Sequence, residues 1–260
     1  MASLERVRHL GVGIKMVATT VFRCSFHSSC VHRKTKLNNL KGKSTSSQEW
    51  LKRQLNDPYV KRAKTENYRC RSAFKLIEID DKYHLLQPGL AVIDCGASPG
   101  SWTQVAVERV CYDASKNGYK GEGLVIGIDL QHMLPIEGAY VLHQSDFTSK
   151  ETQQTILTIL NGRQADVVMS DMAPSASGQK SLDHDIIVDL CYSVLLFSRR
   201  VLKPGGHVLC KLWQGSELRK LELTMGKLFE NVKVVKPSAS RQDSSEIFLL
   251  GRNFVGKAER

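Results

Sequence analysis

From residue 90 onward the chain alternates short β-branched apolar runs with segments of helical length, and this alternation narrows the possible folds more than any other feature. The apolar runs are 90–95 (Leu-Ala-Val-Ile-Asp-Cys), 124–129, 140–143, 166–170 and 207–212. Between them lie helix-like segments at 102–112, 149–161, 182–202 and 216–229. In 182–202 the residues Leu182, Ile186, Leu190, Val194 and Val201 are predicted to share one face. Strands that are apolar on both faces, separated by helices, predict an α/β fold: a mostly parallel seven-stranded sheet with helices on both faces. Two close runs, 232–236 and 246–250, predict an antiparallel final strand. Residues 113–122 read as an exposed loop. Upstream, 48–65 predicts a polar helix broken near Asp57-Pro58. Residues 67–84 predict a second helix with Cys70, Phe74, Leu76 and Ile77 on its apolar side and Arg71 and Lys75 at i, i+4.

Charge divides the chain. The net charge is +11 over 260 residues: +8 on residues 1–47, +5 on residues 48–75 and −2 on the rest. Residues 1–47 have nine cations, one acid and seven serines mixed with single apolar residues. That is the make-up of a mitochondrial transit peptide, and it lacks the unbroken apolar core of a secretory signal. A disordered basic tail that binds nucleic acid is the alternative. The stretch is too short and too charged to span a membrane, so no stable membrane insertion is expected. The organisation that follows is a presequence at 1–47 and one domain over 48–260, with 48–85 a basic helical extension. The cations Lys52, Arg53, Lys61, Arg62, Lys64, Arg69, Arg71 and Lys75 form a candidate RNA-backbone track. Trp50, Tyr59 and Tyr68 stand among them, either stacking on bases or packing on the core.

The seven cysteines are irregularly spaced with no C-x-x-C, and the eight histidines form no H-E-x-x-H. Neither a disulfide framework nor a structural metal is expected, and a reducing compartment fits.

In doubly wound sheets ligands sit at the carboxyl ends of the strands. The first strand ends Asp94-Cys-Gly96-Ala-Ser-Pro99-Gly100-Ser101-Trp102, and the next three end in Asp129, Asp146 and Asp171. The glycines let backbone approach a ligand, the helix that follows offers unpaired N–H groups, and Asp129 can accept ribose hydroxyls. Each aspartate alone would read as a cap or turn; four at successive strand ends point to a cofactor site. The G-x-x-x-G spacing is not that of a dinucleotide site, and no phosphate-binding G-x-x-x-x-G-K-[ST] is present, which disfavours an NAD oxidoreductase and a nucleotide triphosphatase.

The set Asp-x-Gly-Ala-x-Pro-Gly-x-Trp, Gly-Ile-Asp129, Ser-Asp146-Phe147 and Ser-Asp171-Met-Ala-Pro, spanning about Tyr68 to Phe254, resembles the S-adenosylmethionine-dependent methyltransferases. Within that Rossmann-like class it is similar to the FtsJ/RrmJ family of ribose 2′-O-methyltransferases, in its mitochondrial branch. The resemblance implies that Gly96, Pro99, Gly100, Ser101 and Trp102 hold the methionine end of S-adenosyl-L-methionine. It places Asp129 on the ribose, Asp146 with Phe147 at the adenine, and Asp171 near the methionine amine and methyl.

It also implies a Lys-Asp-Lys-Glu tetrad. Lys75 lies in Tyr-Arg-Cys-Arg-Ser-Ala-Phe-Lys, Lys211 in Val-Leu-Cys-Lys-Leu-Trp-Gln, and Glu246 in Ser-Ser-Glu-Ile-Phe. By resemblance Lys211 activates the 2′-hydroxyl, Asp171 and Glu246 orient it, and Lys75 positions the target. A lysine base must be tuned by burial or neighbouring charge, and two close lysines disfavour each other's protonation. Cys210, the one candidate nucleophile for C5 methylation, should face away from Lys211 by strand alternation. The implied substrate is a uridine of mitochondrial large-subunit rRNA in the matrix, presented by a ribosomal assembly particle. A non-catalytic RNA-binding assembly factor on the same fold is the competing reading.

Overall fold

The computed structural model describes residues 44–113, 118–119, 122–174 and 180–256. The transit-peptide assignment therefore falls mainly on residues outside those described. The helical extension is α1 (Thr45–Asn56), α2 (Pro58–Thr65) and α3 (Ala73–Tyr83). The α1–α2 break has a local cause. Pro58 opens α2, and Asp57 Oδ1 accepts from the amides of Tyr59 (2.9 Å) and Val60 (3.4 Å). The third helix begins at Ala73, later than its periodicity predicts, because Asn67 is left-handed (φ 61°) and turns precede it. Arg71 is thus not a helical i, i+4 partner of Lys75.

The remaining elements are β1 (Ala91–Cys95), α4 (Ser101–Val110), β2 (Tyr112–Asp113), β3 (Gly118–Tyr119), β4 (Leu124–Ile128) and β5 (Ala139–Leu142). They continue with α5 (Lys150–Leu160), β6 (Ala165–Ser170), α6 (Lys180–Val201), β7 (Leu202–Trp213), α7 (Leu218–Gly226), β8 (Phe229–Val235) and β9 (Glu246–Phe254). Seven strands form one sheet in the order β5-β4-β1-β6-β7-β9-β8; β9 runs antiparallel to both neighbours and the other pairings are parallel. This is the predicted architecture. One detail differs: β2 and β3 pair as a small antiparallel ribbon within the stretch predicted as a loop.

Strand parity sends side chains to two cores. Ile93, Val168, Cys210 and Leu249 pack against α5, α6 and α7, together with Ile156, Ile187 and Leu221. Val92, Met169, Leu209 and Phe248 pack against α3 and α4, with Leu76, Trp102 and Val105. Asp94, Lys211 and Glu246 share the parity of this second set, so all three belong to the α3–α4 side. Cys210 lies in the opposite core.

The buried face of α6 is not the predicted one. Ile187, Cys191, Val194 and Val201 are buried, while Leu182 and Ile186 are exposed. Residues four apart drift about 40° per step on a helix of 3.6 residues per turn, so a 182-186-190 stripe leaves the face that Val194 and Val201 occupy.

Candidate active site

The β-strand registers assemble the site. β6 and β7 run parallel with Ser170 opposite Cys210, so the next residues, Asp171 and Lys211, are neighbours. β7 and β9 run antiparallel with Lys211 opposite Phe248 and Trp213 opposite Glu246. Glu246 is thereby one diagonal step from Lys211 on the same face, and α3 lays Lys75 across that face. Lys211 Nζ lies 3.0 Å from Asp171 Oδ1 and also donates to the Asp171 carbonyl. Lys75 Nζ is 2.7 Å from Glu246 Oε2 and 4.0 Å from Asp171 Oδ1. Ser72 Oγ donates to Asp171 Oδ2, and Ser240 Oγ donates to Glu246 Oε1 at 2.7 Å. The four predicted tetrad residues therefore form one mostly buried, charge-balanced cluster. Burial pushes the Asp171 carboxyl upward, but the Lys211 and Lys75 ammoniums and the Ser72 hydroxyl outweigh it and hold Asp171 below the ordinary carboxylate range.

Asp171 stands between two clefts. The first, about 340 Å³, opens at the carboxyl ends of β1, β4 and β6 and is lined by Gly96, Ser98, Asp129, Asp146, Phe147 and Asp171, among others. Asp129 shapes its rim: its carboxylate accepts from the amides of Ser98 (2.8 Å) and Gln131 (2.7 Å). Asp146 Oδ1 accepts from the amide and hydroxyl of Thr148, both at 2.8 Å. A side chain at Gly96 would meet Met172 Cγ at 2.2 Å, so only glycine keeps this wall close. The second cleft, about 280 Å³, is lined by Gln54, Arg71, Ser72, Lys75, Arg241 and Glu246, with Cys70 and Ser244.

Not every predicted cofactor residue lines the first cleft. Pro99, Gly100, Ser101 and Trp102 do not. Trp102 is buried, donates its indole N–H to Ser72 O (2.9 Å) and packs on Phe248 at 5.6 Å. Ser101 is buried with its hydroxyl 3.0 Å from Cys70 Sγ. The Pro99 carbonyl accepts from Arg69, which also holds the carbonyls of Leu134 and Pro135.

The basic track is smaller than its charge count. Arg62 pairs with Glu66, Arg71 with Asp57, Lys75 with Glu246, and Arg69 is taken up by carbonyls. Tyr59 and Tyr68 pack on Phe74 at 5.5 and 5.7 Å and donate to Glu78 and Glu108, whereas Trp50 is exposed.

Asp94 is the first of the four strand-end aspartates, but the resemblance assigns it no contact with the cofactor. It is wholly buried; Oδ2 accepts from Thr103 Oγ1 (2.7 Å), and Oδ1 has no hydrogen-bond partner among the described residues. Burial, with the Asp171 and Asp129 charges adding to it, pushes its carboxyl up to about 7. The signal in the sequence was a carboxylate inside an otherwise apolar strand run. Among the described residues no group of His, Cys, Asp and Glu is placed to hold a metal ion.

A strand-end cleft beside a buried Lys-Asp-Lys-Glu cluster, on a sheet whose β9 runs against its neighbours, defines a Rossmann-like methyltransferase. The chain belongs to the FtsJ-like methyltransferase family, whose model matches residues 68–254. It is 50% identical over 228 residues to a Drosophila melanogaster protein named rRNA methyltransferase 2, mitochondrial, covering 88% of this chain and 91% of that one. It is 48% identical over 225 residues to ribosomal RNA large subunit methyltransferase E of Cereibacter sphaeroides, covering 86% and 91%. A solved Plasmodium falciparum structure described as a ribosomal RNA methyltransferase superposes with a TM-score of 0.63 at 32% identity, covering 73% of this chain and all of that one.

Proposed function

We propose that this protein transfers a methyl group from S-adenosyl-L-methionine to the ribose 2′-hydroxyl of a uridine in mitochondrial large-subunit rRNA. The observation that carries the reading is the placement of Asp171, which lines one cleft and, through Ser72 and Lys75, walls the other. A donor and an acceptor held in separate clefts can meet only at the tetrad.

The residues of the first cleft fit this cofactor. It carries a sulfonium and an ammonium; Asp171, held ionised by its lysines, supplies negative charge at the cleft, and the unpartnered Asp94 Oδ1 is a hydrogen-bond acceptor without a partner two residues before Gly96 of its wall. Asp129 would hold the ribose, and Asp146 and Phe147 the adenine. Gly96 lets the wall approach, while Pro99 to Trp102 act by fixing the turn and the start of α4. When bound, S-adenosyl-L-methionine supplies an electrophilic methyl. Lys211 would take or share the hydroxyl proton, oriented by Asp171. Lys75, held by Glu246, positions the ribose, so that much of the rate gain comes from alignment.

The basic composition of residues 1–47 supports a presequence for the mitochondrial matrix, with residues 48–260 as the methyltransferase domain. The names of the relatives support an rRNA substrate, which an assembly particle would present. A non-catalytic assembly factor is disfavoured by the complete tetrad.

The test incubates the protein with labelled S-adenosyl-L-methionine and mitochondrial rRNA, then maps 2′-O-methylation beside Lys211→Ala. Methylation at one ribose, lost in the variant, is the expected result. Equal methylation by the variant overturns the role of Lys211, and no cofactor binding overturns the enzyme.

A further inference from the structure

We propose that Ser72 is a positioning residue for methyl transfer: its hydroxyl fixes the Asp171 carboxylate and, through it, the amine of Lys211. This rests on the 2′-O-methylation reading above.

A serine at the start of a helix ordinarily turns its oxygen back to accept an amide of the first turn. Ser72 holds that position before α3 and makes no such bond. Backbone carbonyls take its place. The amides of Ala73, Phe74 and Lys75 reach the carbonyls of Cys70 (3.4 Å), Arg71 (3.3 Å) and Ser72 (3.0 Å). The hydroxyl is thereby free of the helix, and it donates to Asp171 Oδ2, 99 positions away.

Asp171 needs that bond. Its other oxygen, Oδ1, lies 3.0 Å from Lys211 Nζ and 4.0 Å from Lys75 Nζ but makes no hydrogen bond among the described residues. Attraction between charges depends on distance far more than on angle, and the torsion that turns a carboxylate is broad. The two lysines alone would leave the plane of the group loosely set. Lys211 also donates to the Asp171 carbonyl, which keeps the amine near residue 171 without choosing a carboxylate oxygen. Among the described residues, the Ser72 hydroxyl makes the one hydrogen bond that this carboxylate accepts. It sets the plane and leaves Oδ1 facing Lys211.

Ser72 is itself held. Its carbonyl accepts the Trp102 indole N–H at 2.9 Å, Cys70 Sγ lies 3.0 Å from Ser101 Oγ, and the Arg69 amide donates to Gln104 Oε1 at 2.9 Å. These contacts fasten residues 69–72 to the start of α4, so the hydroxyl is in place before a substrate arrives. A group fixed in advance needs no reorganisation during the reaction, and a displaced amine loses the alignment on which transfer depends. Ser72 also lines the second cleft, so direct contact with RNA is the other role to be separated.

The experiment compares the full-chain wild type with Ser72→Ala and Ser72→Thr, using labelled S-adenosyl-L-methionine and a mitochondrial large-subunit rRNA transcript. Ala removes the donor and Thr keeps it. Rates are taken well below every unfolding midpoint, so that lost kcat is not lost folded protein. In Ser72→Ala, kcat should fall roughly 10- to 100-fold, the scale of a lost hydrogen bond to a charged group. KM for RNA, cofactor affinity by calorimetry and Tm should stay near wild type, because the hydroxyl caps nothing. Thr should recover most of kcat. An undiminished kcat in Ser72→Ala overturns the proposal. A loss confined to KM overturns it too and makes Ser72 an RNA contact. A kcat loss that Thr does not recover overturns it in favour of a packing role. If the wild type itself methylates no RNA, the reaction reading falls first, and the role of Ser72 falls with it.

Discussion

Lys211 and Asp171 lie 3.0 Å apart across the β6–β7 pair, and the contact follows from register: Ser170 opposes Cys210, so the residues that follow them meet, with Asp171 lining the first cleft. Lys211→Met is expected to lower the methylation rate by at least about 100-fold, the scale of a lost proton-transfer group. Cofactor affinity should be retained. Initial rates beside calorimetric titration with S-adenosyl-L-methionine check both, and a variant with an undiminished rate would remove Lys211 from the chemistry.

Lys75 and Glu246 make the second pair, with both side chains only 13% exposed. Screening by solvent is weak there, and removing one partner leaves a buried charge. A double-mutant cycle with Lys75→Met and Glu246→Gln should give a coupling of about 1–3 kcal/mol in urea unfolding. A coupling near zero would mean the two groups do not support one another.

Asp94 makes a prediction in pH. Its folded-state value, about 7, lies above the ordinary 3.8. Between those values the folded state keeps a proton that the unfolded chain has lost, so this group's contribution to stability falls as pH rises across the window. Asp94→Asn removes that dependence. The variant should gain on wild type between pH 4 and pH 8, by on the order of a few kcal/mol. The difference between the two urea midpoints, followed against pH, measures it; a flat difference would contradict the assignment.

Two glycines separate strain from sterics. Gly89 (φ +86°) has open space where a Cβ would stand, whereas Gly96 (φ +76°) would press on Met172. Gly89→Ala should cost about 1 kcal/mol from backbone conformation alone. Gly96→Ala should cost more and also weaken cofactor binding, because Met172 lines the same cleft. Unfolding midpoints and cofactor titration of both variants test the contrast.

How far the site could be read in advance depends on the range of the interaction. The α1–α2 break at Asp57-Pro58 was legible because a cap and an N1 proline act on the adjacent turn. The opposite facing of Lys211 and Cys210 was legible because strand alternation is local and strict. Trp102 was not: placed in a Gly-Pro-Gly turn it suggests a ligand contact, yet Phe248 and the Ser72 carbonyl, both distant in sequence, draw it into the core. The stripe on α6 failed through accumulated rotation, since its two flanks are both apolar and only the sheet selects one. The +5 of residues 48–75 overstated the RNA track because it is blind to a partner outside the stretch such as Glu246, which takes Lys75, and to the carbonyls that take Arg69.

By itself, then, the sequence determined the order of the main strands and helices, the aspartates at the strand ends and the four residues proposed as a tetrad, since periodicity, turns and motifs are properties of contiguous chain. The tertiary structure alone decided which residues meet. It placed Asp171 between two clefts, bonded Lys75 to Glu246 across 171 positions, left Asp94 Oδ1 without a hydrogen-bond partner among the described residues, and set Arg241 beside an already occupied carboxylate. Those facts depend on register and packing between distant segments, where burial changes the energy of each charge according to its neighbours.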